Sequence, residues 1–191
     1  MTLSKKNGPS KICQFSMVVE KMVRSWVASY IPIIDQRILS YRQFHSRANL
    51  WRDKYREIDI VVGTNEPETF IEVKFTSAYS TCVSISGKRQ LLESYDIAKR
   101  RWMLLRACTI GVSLVSDTPL NPDELYEAIN RCPPKLIDAI DIPHIVIGAK
   151  QLWESEYDKI KCDPNLFDAA MAEYQINQKR RIERQAKRQA K

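Results

Sequence analysis

The chain has 191 residues, 44% hydrophobic and 28% charged, which is ordinary for a globular protein and enough for one domain with a proper core. Its net charge of +7 is unevenly placed: Lys179 to Lys191 hold seven of the 30 Lys and Arg and one of the 23 acids, leaving everything before them close to neutral at +1. Five scattered cysteines without a CxxC pair and only two histidines exclude a clustered zinc site, and no window suggests a signal peptide or a membrane span, so a soluble protein of the reducing cytoplasm is expected.

Residues 1–9 are polar. Ser10 is an N-cap candidate for a helix from Lys11 to Ser29, in which Ile12, Phe15, Val19, Met22, Val23, Trp26 and Tyr30 make one apolar stripe. Glu20 lies beside that stripe, four residues before Arg24, the favourable orientation for a helix-surface ion pair. Pro32 ends the helix, and Ile31 to Tyr41 reads as an irregular strand with Ile33, Ile38 and Tyr41 as candidates for burial. A basic, aromatic connection follows, holding Arg42, His45, Arg47, Trp51 and Arg52, with His45 read as a surface histidine.

Glu57 to Thr76 is the most informative stretch. Two β-branched runs, Ile58 to Val62 and Phe70 to Phe75, flank the turn-rich residues Gly63 to Thr69, which is the pattern of a β-hairpin. Strand side chains alternate between faces, so Ile58, Ile60 and Val62 share one face with Ile71, Val73 and Phe75. The other face carries Glu57, Asp59, Val61, Phe70, Glu72 and Lys74. A register with Ile60 opposite Ile71 sets Asp59 opposite Glu72, where opposed Cβ atoms lie roughly 4.5–5.5 Å apart. Two carboxylates and an ammonium then converge within reach of one divalent cation. The same residues also suit a plain hairpin with a solvated polar face and a Lys–carboxylate pair.

Ser77 to Ser86 is polar and reads as a loop or short edge strand. A helix from Ser86 or Gly87 to Leu105 follows, buried along Leu91, Tyr95, Ala98 and Trp102. Its first turn, Lys88-Arg89-Gln90, places cations where free N–H groups already seat phosphate, although cations there oppose the helix dipole. Thr109 to Val115 reads as a buried strand, Asp123 to Arg131 as a helix, Ile142 to Ile147 as a strand with His144 in the core or at an edge, and Gln151 to Lys161 as a helix. A last helix carries Leu166, Phe167, Met171 and Tyr174 on one face. The expected organisation is one domain over 1–177 and a basic C-terminal tail over 178–191. In that tail Lys179, Arg180, Arg181, Arg184, Lys187, Arg188 and Lys191 lack apolar companions.

Asp59 followed by Glu72-Val73-Lys74 resembles the D…(D/E)xK signature of the restriction-endonuclease-like, or PD-(D/E)xK, nucleases. The lead-in from Trp51 to Asp59 is similar to that of Holliday-junction resolvase-like members and equally to that of nuclease-like domains appended to some ATPases. Ile58 rather than proline precedes Asp59, a departure that many members share. The resemblance implies an α/β fold, a mixed β-sheet flanked by helices with an αβββαβ core and added C-terminal helices. It implies Asp59, Glu72 and the Val73 carbonyl as ligands of Mg2+ or Mn2+, with Lys74 catalytic. Glu20 occupies the place of a helix glutamate that reaches the metal in such proteins, so it stands between that role and the Arg24 pair.

Phosphodiester hydrolysis needs an activated water, a polarised phosphate and a stabilised leaving oxygen, and a hard divalent cation held by oxygen ligands supplies all three. The expected function is a metal-dependent endonuclease, acting on DNA, of restriction, resolvase or transposition and defence type. Lys88, Arg89, Gln90 and the tail cations would hold the nucleic acid. The alternative is a non-catalytic nucleic-acid-binding or interaction module on the same fold, and a homodimer or a partner protein stays open.

Overall fold

The structure is a computed structural model that describes residues 9–76, 82–99, 102, 105–133, 136 and 138–189. Helix α1 spans Lys11–Ala28, and the Ser10 hydroxyl accepts from the Cys13 N–H, so the cap read from the sequence opens it. Phe15, Val19, Met22, Val23, Trp26 and Val27 are buried along its length. Strand β1 is the short Ile33–Ile34. Strands β2 (Ile38–His45) and β3 (Leu50–Glu57) pair with each other in a separate two-stranded ribbon. Strands β4 (Ile60–Val62) and β5 (Thr69–Thr76) form the expected hairpin.

Helix α2 (Cys82–Ala98) leads to β6 (Arg106–Ser113), helix α3 (Pro122–Arg131) and β7 (His144–Gly148). Helices α4 (Ala149–Glu156) and α5 (Leu166–Gln189) complete the chain. Among the described residues the main sheet has five strands in the order β1-β4-β5-β6-β7. The pairs β1–β4 and β4–β5 are antiparallel, whereas β5–β6 and β6–β7 are parallel. The fold is thus a mixed β-sheet flanked by α-helices. No helix among the described residues is long and apolar enough to cross a membrane.

Two apolar clusters divide at the sheet. One gathers Ile60, Val62, Ile71, Val73, Ile110 and Ile145 under α1, α3, α4 and α5. The other gathers Val61, Phe70, Ala107 and Ile58 under Leu91, Tyr95 and Ala98 of α2. The β4–β5 turn needs Gly63, whose φ of +152° disfavours any side chain; a Cβ there would sit 2.1 Å from the Glu66 carbonyl oxygen.

Several expectations are corrected. Ile58 does not share a face with Ile60; the chain bends at Asp59, and Ile58 joins the cluster under α2 instead. Ile38, expected to be buried, is 58% exposed on the ribbon. The segment read as a basic connection is the ribbon itself, turning through a 3-10 segment at Ser46–Ala48 and a left-handed Asn49. Helix α2 begins at Cys82 rather than at Ser86 or Gly87: once buried Gly87, Leu91 and Tyr95 anchor the helix on the sheet, extending it backwards costs little per residue. It ends at Ala98, not Leu105. Residues 77–81 of the polar stretch lie outside the described residues. The basic tail is the continuation of α5 as far as Gln189, since Gln, Lys, Arg and Ala are all good helix formers even where nothing buries them. Lys191 lies outside the described residues.

Candidate active site

The β4–β5 ladder has the register Ile60–Ile71, Val61–Phe70, Val62–Thr69, as the alternation of apolar residues requires. It stops at Ile60. One step beyond its end, the Val73 N–H donates to Asp59 Oδ2 at 2.7 Å. The Asp59 side chain thereby satisfies a backbone donor past the last ladder pair, which fixes the carboxylate beside β5. On β5 itself Glu72 and Lys74 point to the same face. Glu72 is 1% exposed, and Lys74 Nζ donates to its Oε1 at 2.5 Å and to Gln90 Oε1 at 3.0 Å. Gly87 lets α2 lie this close: a Cβ there would meet Lys74 Cγ at 3.1 Å.

Glu20 approaches from α1, but not through Arg24, which reaches Asp35 at 2.7 Å instead. Arg37 clamps the region: it donates to Glu20 Oε1 at 2.8 Å and to the Asp59 carbonyl at 3.1 Å, and pairs with Glu57 at 2.9 Å. Glu20 is close enough for its charge to act on Asp59. The structure therefore brings Glu20, Asp59, Glu72 and Lys74 into one neighbourhood.

Its electrostatics are unbalanced. Burial, and after it the Asp59 charge, pushes Glu72 up to about 7, against the pull of Lys74 and Arg56. Burial also raises Asp59, opposed chiefly by the Val73 N–H. Two carboxylates are held in a place where the protein's own cations do not fully compensate them.

The remaining sequence candidates separate. Lys88, Arg89 and Gln90 lie inside α2, six to eight residues after its start at Cys82, so the free N–H groups of a helix end are not theirs. Gln90 is nonetheless at the site through Lys74. Lys88 is half-buried and its charge acts on His144, whose Nδ1 lies 2.8 Å from Thr109 Oγ1 and whose pKa is lowered first by burial. Arg89 is exposed and lines a cleft of about 560 Å3 with Arg56, Gln90 and Glu93. Lys179, Arg180, Arg181, Arg184, Lys187 and Arg188 belong to α5, which packs with α1 on the sheet face opposite Glu72. His45 is exposed on the ribbon, as expected. A separate cleft of about 820 Å3 is lined by residues such as Thr69, Trp102 and Tyr126, and includes none of these candidates.

Sequence reasoning missed Arg37, Arg56 and Gly87. Gly87 had a legible signal, a lone glycine within a helical pattern one residue before a lysine. Arg37 and Arg56 had none, because their roles depend on how the ribbon's base meets α1 and α2. Among the described residues no three His, Cys, Asp or Glu side chains are grouped so as to hold a metal ion. The chain matches no known family, no characterised protein and no solved structure.

Proposed function

We propose that the protein is a Mg2+- or Mn2+-dependent nuclease that hydrolyses phosphodiester bonds in DNA, on a restriction-endonuclease-like core. The observation that carries this reading is the meeting of Asp59, buried Glu72 and Lys74 at the end of the β4–β5 ladder. The element order supports it too. With the ribbon set aside, α1, β1, β4, β5, α2 and β6 follow the αβββαβ order that the signature implies.

The residues fit a hard cation. Mg2+ keeps several waters and takes one or two carboxylates plus substrate phosphate oxygens, so it needs no cage of three protein side chains. Two carboxylates whose pKa values are raised by burial and by neighbouring negative charge are the groups a divalent cation would return to their ionised form. Asp59, Glu72 and the Val73 carbonyl would hold the ion, with Glu20 adding negative charge nearby. When bound, it would supply Lewis acidity toward a phosphate and a water of lowered pKa. Lys74, held by Gln90, would orient the attacking water or stabilise charge that builds on the phosphate. Arg37 holds the Asp59 backbone and Glu20 in place.

The second reading is a non-catalytic nucleic-acid-binding or interaction module. The engagement of Lys74 by Glu72 favours it, since a lysine serving only to neutralise a buried acid has no further task. Incubation with supercoiled, linear, single-stranded and branched DNA, with Mn2+ or with EDTA, separates the two. The nuclease reading expects Mn2+-dependent cleavage of at least one substrate that Asp59→Asn and Lys74→Ala abolish. Asn is the better substitution at 59 because its carbonyl can still accept from Val73. Activity within a fewfold of wild type in either variant removes that residue from the mechanism, and no cleavage of any substrate leaves the binding module.

A further inference from the structure

The β2–β3 ribbon stands apart from the main sheet, and its two faces differ in chemistry. Directly paired residues share a face. Ile38–Glu57, Ser40–Tyr55, Arg42–Asp53 and Phe44–Trp51 therefore form one face. Leu39–Arg56, Tyr41–Lys54, Gln43–Arg52 and His45–Leu50 form the other. The first face is aromatic and carries two acids, Asp53 and Glu57, against one cation, Arg42: the Phe44 and Trp51 rings lie tilted with centroids 5.6 Å apart, and Arg42 meets Asp53 at 3.5 Å. The second carries Arg52, Lys54 and Arg56 and not one acid.

This cationic face is continuous with the candidate active site. At its base Leu39 is buried with Leu91 and Tyr95 of α2. Arg56 donates to the Gln90 carbonyl at 3.1 Å and pairs with Glu93 at 2.6 Å, and Gln90 in turn holds Lys74. The cleft shared by Arg56, Arg89 and Gln90 lies at that junction. Farther out, Lys54 and Arg52 are exposed and carry no ion pair among the described residues. Alternate strand residues repeat every ~6.8 Å, about two axial phosphate steps of one strand of a duplex.

We propose that the cationic face of the β2–β3 ribbon, through Arg52 and Lys54 and continuing to Arg56 and Arg89, grips the phosphate backbone of duplex DNA and leads it to the Asp59–Glu72–Lys74 site. This rests on the nuclease reading for its destination but not for the grip. A polyanion is the partner because beyond its buried base the face offers Arg52 and Lys54 without ion pairs among the described residues, with polar Tyr41, Gln43 and His45 between them and one apolar residue, Leu50, at the tip. A two-stranded ribbon also has the width that a DNA major groove admits, whereas the deep, narrow major groove of duplex RNA does not.

The test is anisotropy with a labelled DNA duplex in EDTA, on the full chain, across a salt series. Arg52→Ala/Lys54→Ala should lower the log–log salt slope by about 1.8, at ~0.9 per lost phosphate contact. Arg42→Ala, on the opposite, net-acidic face of the same ribbon, should leave the slope unchanged. Both variants alter exposed side chains, and unchanged melting temperatures confirm that they fold. An unchanged slope in the double variant overturns the proposal, as does an equal effect from Arg42→Ala. Weakened binding to phosphatidylserine vesicles with DNA affinity intact also overturns it, by assigning the face to a membrane. Because no cleavage is measured, a ribbon-dependent slope in a protein that cuts nothing sustains the grip and rejects the nuclease. Cleavage without such a slope does the reverse.

Discussion

Glu72 carries a conflict that only a change in charge resolves. Its carboxyl is buried next to Asp59, and Lys74 compensates it incompletely, so its pKa rises from 4.5 to about 7. Between those values the folded protein keeps a proton that the unfolded chain has released. The resulting stability is whole below about pH 4.5 and is lost as pH rises through about 7. A metal-free Glu72→Gln variant should therefore melt above wild type at pH 8 and lose that advantage at pH 4.5. The ceiling is on the order of 3 kcal/mol at ~1.4 kcal/mol per pKa unit, reduced by whatever the Lys74 pair contributed. Mn2+ should raise the melting temperature of wild type and not of the variant. Thermal melts at the two pH values check both statements, and a variant no more stable than wild type at pH 8 contradicts the first. Asp59 differs in kind, because it also satisfies the Val73 N–H. Removing that acceptor costs about 1–3 kcal/mol if the donor is left unpaired, so Asp59→Ala confounds stability with chemistry where Asp59→Asn does not.

Helix α2 sets the position of Lys74 through two contacts, the Gln90 amide and the bare backbone at Gly87. In an ordinary helix interior, Gly→Ala gains roughly 1 kcal/mol. Here the added methyl would press on the lysine stem. Gly87→Ala should melt at or above the wild-type temperature yet cleave at least tenfold more slowly, a divergence that measuring both on one preparation reveals. Equal cleavage would show that α2 does not position Lys74. The hairpin was legible because two β-branched runs flank a turn-rich stretch, and matching their alternation sets Ile60 opposite Ile71. Helix α1 was legible from Ser10 and one stripe. The ribbon was not. Neither of its strands has an apolar face, and its turn uses a 3-10 segment with left-handed Asn49 rather than an Asn-Gly pair. The start of α2 was hidden by Val83 and Ile85, β-branched residues that favour strand locally. The acidic neighbourhood was legible in Asp59 and Glu72, but Arg37 reaches Glu20 from seventeen residues away, and no local pattern announces such a contact.

At the scale of the molecule, positive charge sits in two places relative to the carboxylates. The ribbon and α2 carry one set on the Glu72 face, and the outer half of α5 carries the other, based on the opposite face. Lys179–Gln189 extends that helix by about 16 Å at 1.5 Å per residue, with Ile182 64% exposed and no described residue of this segment buried. An exposed basic helix of this kind adds affinity for a polyanion without reading its sequence. Deleting residues 179–191 should flatten the salt dependence of DNA binding by several slope units while low-salt cleavage persists. An unchanged slope would assign the helix another task. The proposed function rests on something simpler than either cation set, that Asp59 and Glu72 together hold one hard divalent cation. Titration of Mn2+ into the protein at pH 8, with free Mn2+ followed by electron paramagnetic resonance, tests that claim most directly. Wild type should remove one equivalent of Mn2+ from solution, and Asp59→Asn and Glu72→Gln should each remove far less. Equal uptake by all three proteins, or none by wild type, would contradict it.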